Sequence, residues 1–363
     1  MVVLFMRNRK LTLLLAMLVL AIFAVGAVSA EDNVTDIDVP TEDTAIDEVI
    51  VDDDSAGETD EIEVRSPITY HQYYINTSSD FDDINENIRN GTYTNYEFIF
   101  NSTGGSYNNF AMVTGNNNIF TGNGATIIGS TDNLFTVAGS NNIVITGFNM
   151  NVATGKAAIY GANVFNAEIT NNNISGGKDG INIMQTHDNI TISNNRITGV
   201  TRDAISLVDH RTLNDTEWAN RGSSIISNNV ITGAADYGTE YGMFIGGNFK
   251  GTISGNVITG TQYGVEFAGK KAVTNGKLNV DFDNNNITDI FYAINMYHPN
   301  VIHLNITNCN IGVNSPYIDI AIATNGNFAT TGYIGVYNSN FVGTISSTFK
   351  TAAGNNTANN IGF

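Results

Sequence analysis

One arrangement of apolar and polar positions recurs along the chain. It reads "AEITNNNISG" at 167–176, "ITISNNRITG" at 190–199, "SIISNNVITG" at 224–233 and "TISGNVITG" at 252–260. With the isoleucine after the asparagines as anchor, the series runs Ile174, Ile197, Ile231, Ile258, Ile287 and Ile311, at gaps of 23, 34, 27, 29 and 24 residues. A second apolar residue stands five places before each anchor, at Ile169, Ile192, Ile226, Ile253, Phe282 and Ile306. Weaker copies pair Ile145 with Met150 and Val336 with Phe341. Five is an odd offset, and one face of a continuous strand repeats only at even offsets. The backbone must therefore bend between the two. At the bend stand Asn171-Asn172, Asn194-Asn195, Asn228-Asn229, Gly255-Asn256, Asn284-Asn285 and Asn308-Cys309, residue types that mostly tolerate the left-handed conformation of a sharp corner.

Each repeat carries a further alternating run: "DGINI" (179–183), "DAISL" (203–207), "YGMFI" (241–245), "YGVEF" (263–267) and "YAINM" (292–296). Three short strands and three corners in one repeat describe a coil of a right-handed, single-stranded parallel β-helix, an all-β solenoid. Equivalent asparagines on successive coils would lie above one another and form hydrogen-bonded ladders. A helical reading fails because the apolar positions do not keep the i, i+3, i+4, i+7 pattern. The exception is 78–92, where Phe81, Ile84 and Ile88 follow Ser79 and Asp80 at helical spacing. This predicts a short amphipathic helix capping the first coil. The C-terminal "TAAGNNTANNIGF" shows no comparable cap.

Composition divides the chain into three parts. Arg7, Arg9 and Lys10 precede an apolar run from Leu11 to Val28 that ends in small residues. Residues 1–30 therefore read as a signal peptide cleaved after Ala30, with an uncleaved anchor as the alternative. Residues 31–65 read as an acidic, disordered linker: 31–64 hold fifteen Asp or Glu and no Lys or Arg, and so carry −15 of the net −19. The β-helix fills 66–363. The expected location is secreted or cell-surface, with a monomeric state. The acidity argues against nucleic acid, whose phosphates require clustered basic residues. Cys309 is the single cysteine, so no intrachain disulfide exists.

The repeats typified by "DGINIMQTHDNITISNNRITG" resemble the pectate-lyase-like right-handed β-helix superfamily. Together with an export segment and an acidic stretch, they are similar to the adhesin-like surface proteins of methanogenic archaea. That resemblance implies a surface protein that binds a polysaccharide or cell-surface glycan without catalysis or cofactor. The alternative is a polysaccharide-cleaving enzyme, polygalacturonase- or pectate-lyase-like. "KDGI" and "RDAI" place Asp179 and Asp203 at equivalent points of adjacent coils, and resemblance to "NTDGI" and "GDDxI" contexts makes them its acid and base. The "GHG" and "RIK" motifs of those hydrolases are absent. A lyase reading would add calcium. Ligand binding is expected around the insertion "VDHRTLNDTEWANRG" (208–222), where Trp218 offers a ring beside His210 and Arg211, with His187 following the equivalent strand one coil earlier.

A chain beginning at Ser66 is expected to keep the β-rich circular dichroism and melting temperature of the longer one, since 31–64 have no regular apolar period. Loss of folded protein on that deletion would show that the acidic segment packs on the solenoid.

Overall fold

The computed structural model describes residues 69–363 except 78–80, 103–104, 270–275, 298–299, 313–319 and 326–327. The expected signal peptide, the acidic linker and the Ser79/Asp80 caps lie outside the described residues.

Within them the chain coils into stacked turns whose strands pair only in parallel. Three columns of side chains fill the interior. The first joins Ile181, Ile205, Met243, Val265, Ile294 and Ile322. The second joins Ile145, Ile169, Ile192, Ile226, Ile253, Phe282, Ile306 and Val336. The third runs Met150, Ile174, Ile197, Ile231, Ile258, Ile287, Ile311 and Phe341. All are buried. The second and third columns are the two series offset by five residues, now facing one core from either side of a corner. Each fully buried isoleucine contributes roughly 1.5–3 kcal/mol, so the columns supply the main driving force.

The corner divides its work between two residues. The first takes positive φ: Asn171, Asn194, Asn228, Asn284 and Asn308 lie at 51–56°, and Gly255 at 65°. The second turns inward and is buried. Asn172, Asn195, Asn229 and Asn256 each donate Nδ2 to the Oδ1 of the next asparagine in the column, at 2.9–3.1 Å. Each backbone N–H of the four reaches the same oxygen at 3.0 Å. The four Nδ2 groups also donate to the carbonyls of Ile145, Ile169, Ile192 and Ile226. Asn285 continues the column, but there Cys309 Sγ replaces the amide oxygen at 3.4 Å, followed by Ser339 and Asn360. Burial pushes the Cys309 thiol up to about 11, so it stays protonated.

The capping helix forms at Phe81–Arg89, with Phe81, Ile84 and Ile88 buried as the spacing predicts. Phe81 packs edge-on against Phe110 at 4.9 Å. The C-terminal segment corrects the sequence reading. A helix at Ser347–Ala353 buries Phe349 and Ala353, and Phe363 closes on Phe349 and Phe341. Two buried residues at i and i+4 are too few to register as a periodic pattern.

Replacing Asn195 by Leu is expected to destabilise the fold by about 1–3 kcal/mol, because it strands the Asn172 amide and the Ile169 carbonyl. Replacing Cys309 by Asn should instead raise the melting temperature, by completing the ladder between Asn285 and Ser339. Thermal unfolding checks both.

Candidate active site

One outward column begins each alternating run. Asp179 and Asp203 occupy it first; Tyr241, Tyr263 and Tyr292 follow in paired register. The next residue is always Gly or Ala, for a packing reason: a Cβ on Gly180 would lie 2.4 Å from the Ala204 carbonyl oxygen. The "DG", "DA", "YG" and "YA" pairs are thus a stacking requirement, and the residue before the small one is free to carry chemistry. The tyrosines stack ring on ring at 5.0 Å, while the aspartates are nearly covered at 5% and 6% exposure.

Two carboxyls one strand spacing apart repel each other. Arg202 stands between them. Its Nε donates to Asp179 Oδ1 at 2.8 Å and lies 3.3 Å from Asp203 Oδ2, while Nη2 donates to Asp179 Oδ2 at 2.6 Å. Asp179 also accepts from Asn182 Nδ2 at 2.9 Å and from the Asp203 backbone N–H at 3.4 Å. Four donors saturate its two oxygens, so it anchors the guanidinium and has little capacity left for a reacting atom. Asp203 is held differently. Burial, with Asp179 and Glu240 nearby, pushes its carboxyl up to about 7 against the pull of Arg202. Near pH 7 a substantial fraction of it therefore keeps its proton, a condition that acid catalysis uses.

Two cavities meet here. One, of about 300 Å³, is lined by Asp203, Arg202, Glu240, Tyr241, His210 and Phe244 among others. The second, also about 300 Å³, holds Lys156, Lys178, Asp179 and Tyr160. Asn182, Met184 and Arg202 belong to both, so the two form one groove across successive coils.

Residues 124–287 match the family model described as the right-handed beta helix region. The fold is a right-handed parallel β-helix. No curated protein sequence matches the chain. Among solved structures, it is similar to the catalytic unit of a GH87 alpha-1,3-glucanase from Streptomyces thermodiastaticus, at 14% identity and TM-score 0.47 over 82% of this chain and 62% of that one. It is also similar to a GH87 alpha-1,3-glucanase variant in complex with tetrasaccharides, at 13% identity and TM-score 0.40 over 82% and 69% of the two chains. The tailspike protein of E. coli bacteriophage HK620 in complex with a pentasaccharide shows 10% identity and TM-score 0.34 over 80% and 72%.

The insertion on this β-helix is tied down more tightly than the sequence suggests. Arg211 lays its fork on Asp209, with Nη2 at 2.7 Å from Oδ2, and Nη2 also reaches the His187 carbonyl at 3.1 Å. Arg221 pairs with the same Asp209 from the other side and approaches His187 Nδ1 at 3.4 Å. Burial would raise the Asp209 carboxyl, but the Arg211 hydrogen bonds and the Arg221 charge hold it below its ordinary value. His187 is fully buried, so the expectation that it meets a surface ligand is corrected. Burial and the Arg221 charge lower it to about 3 and keep the ring neutral. Arg211 is likewise committed to Asp209. Trp218 lies half-buried in a short helix, Asp215–Ala219, closed by an Asn214/Glu217 capping box. Lys277 covers the ring at 5.8 Å and pairs with Asp215 at 2.8 Å. His210 alone of the insertion's expected ligand residues lines the groove. Glu240 and Lys178, which the sequence reading passed over, flank the column as Arg202 does. The position just before the column residue was the available signal.

Asp203 makes a pH-dependent contribution whose sign follows from its raised value. The unfolded carboxyl ionises near 4 and the folded one near 7, so stability is full below about 4 and declines as pH rises to about 7. Asp203→Asn should therefore raise the melting temperature clearly at pH 8.5, by the equivalent of a few kcal/mol, and much less at pH 4.5. Equal shifts at both values would show that the carboxyl is ionised throughout.

Proposed function

We propose that the groove accommodates a glycan chain and that Asp203 supplies the proton that cleaves it. The observation that carries this reading is the Asp203 carboxyl, held near pH 7 in a groove beside an arginine fixed by a second carboxylate. A groove whose walls repeat at the strand spacing of roughly 4.8 Å suits a ligand that itself repeats. In the proposed step, the Asp203 proton passes to the glycosidic oxygen as its bond to the anomeric carbon breaks. A water molecule attacks that carbon and gives its proton to Glu240, on the adjacent coil, leaving Asp203 ionised to be reprotonated from solvent. Asp179 acts through Arg202 as a positioning residue. On this reading the protein is exported, in keeping with the pattern of residues 1–30.

One observation supports a second reading, a non-catalytic, adhesin-like surface protein that binds a glycan. Asp179, half of the pair that sequence singled out, is saturated by donors, which leaves Glu240 as the further carboxylate lining the groove among the described residues.

Release of reducing ends from a polysaccharide panel tests the proposal, and unsaturated products would overturn the hydrolytic step. Asp203→Asn and Glu240→Gln should each lower kcat by about 10²-fold or more. Activity should fall as pH rises through about 7, where Asp203 loses its proton. Binding without turnover would favour the second reading, and turnover indifferent to Asp203 would overturn the assignment of the acid.

A further inference from the structure

The groove runs beyond the two cavities around Asp203. Val113, Thr136, Tyr160, Asn182, Ser206 and Phe244 follow one another in register on successive coils. Each comes directly after a buried core residue, so its side chain faces outward. Tyr160 and Asn182 line one of the two cavities, and Asn182, Ser206 and Phe244 the other. Val113 and Thr136 line a third cavity, of about 790 Å³, and Asn133 belongs both to it and to the cavity of Tyr160. The column is thus the floor of one trough. At Val113 the trough meets a wall. The free edge of the strand Met112–Val113 is closed by a side chain: Asn85 Nδ2 donates to the Ala111 carbonyl at 2.8 Å, and Asn85 Oδ1 accepts the Val113 N–H at 2.9 Å. One amide supplies the donor and acceptor that a preceding coil would offer, and among the described residues no strand pairs there. The capping helix Phe81–Arg89 stands in that place. Phe81, Ile84 and Ile88 hold it to the core, while Asp82, Asn85 and Arg89, at i, i+3 and i+7, line the third cavity. In the other direction the column continues in register from Phe244 to Glu266, Asn295 and Ala323. From Ser206, on the Asp203 strand, to Val113 there are four coil steps, roughly 19 Å at the strand spacing and room for about four sugar rings. Asp82 and Arg89 are exposed and form no ion pair among the described residues. Their free acceptor and donor suit the hydroxyls of a ring that has no further neighbour.

We infer that the groove recognises the end of a glycan chain. The terminal sugar abuts the Asp82–Arg89 face of the capping helix, and the chain leaves over Thr136, Tyr160 and Asn182 toward Ser206 and Phe244. This inference rests on the proposed glycan reading and adds the part of the polymer that is held. A chain that continued past Val113 would run into the helix, so an internal stretch cannot fill the trough. Where Asp203 cleaves, the piece between it and the wall has one length, set by the number of coils.

The test titrates the full chain with four linear glycans, an α-1,3-glucan, a β-1,3-glucan, an α-1,4-glucan and a polygalacturonate. Each is supplied at several chain lengths and with one or the other terminus chemically blocked. Calorimetric binding should saturate at one protein per glycan chain whatever its length. Blocking the terminus that meets the helix should weaken binding about tenfold or more, and blocking the other should leave it unchanged, which also identifies the end that is held. Any turnover should release a single short product from the start of digestion. Arg89→Ala should weaken binding about tenfold at an unchanged melting temperature. Thr136→Trp, which fills the floor beside the wall, should shorten the product by about one ring. Stoichiometry that grows with chain length, indifference to both blocks, or a broad spread of products overturns this inference and leaves the glycan reading standing. Absence of binding to all four glycans counts against the glycan reading itself and takes this inference with it. One protein bound per chain end without turnover would sustain the inference and favour the adhesin-like reading.

Discussion

Parallel stacking in register places every side chain on its own equivalent one coil away. A buried polar group at a corner must then find partners directly above and below, in a space without water. The primary amide meets this demand because it donates and accepts at once. Asn229 gives one hydrogen to Asn256 and another to the Ile192 carbonyl, while its oxygen receives Asn195. Left unpaired, each such group would cost about 1–3 kcal/mol. The columns of isoleucine supply most of the driving force, and the amide column fixes which residues meet, since a slip of one residue would break every rung.

The same constraint produces the chemistry of the groove. Equivalent outward positions on adjacent coils hold Asp179 and Asp203, which stacking brings into mutual repulsion. Arg202 resolves half of the conflict by binding Asp179 in a fork, and Asp203 resolves the rest by keeping its proton. Where the column passes to Tyr241, Tyr263 and Tyr292 the conflict vanishes and rings stack instead. The raised Asp203 carboxyl is thus a by-product of repetition interrupted by charge.

What was legible in the sequence was whatever repeats. The odd offset between Ile169 and Ile174 located the corner, the paired asparagines located the ladder, and "KDGI" with "RDAI" located the carboxyl column. Contacts that do not repeat stayed hidden. The burial of His187 depends on Arg221, 34 residues away, and the cover on Trp218 comes from Lys277. Both arise where the insertion folds back on other coils, and no period announces such packing. Glu240 escaped notice because its neighbours in the column are tyrosines, although its place matches that of Arg202. The helix at Ser347–Ala353 was missed because one phenylalanine and one alanine make no pattern.

The small-residue position after each column residue has an evolutionary consequence. Because Gly180, Gly242 and Gly264 meet the close packing of the next coil, and Ala204 is buried at the same place, the residue before each can change without disturbing the core. Duplicating one coil would copy a complete set of wall groups and lengthen the groove by one strand spacing. A single substitution in the tyrosine column would carry acidic chemistry one coil further along. Selection can thus edit the length and lettering of the groove almost as separate variables, with the amide column serving as the unaltered thread.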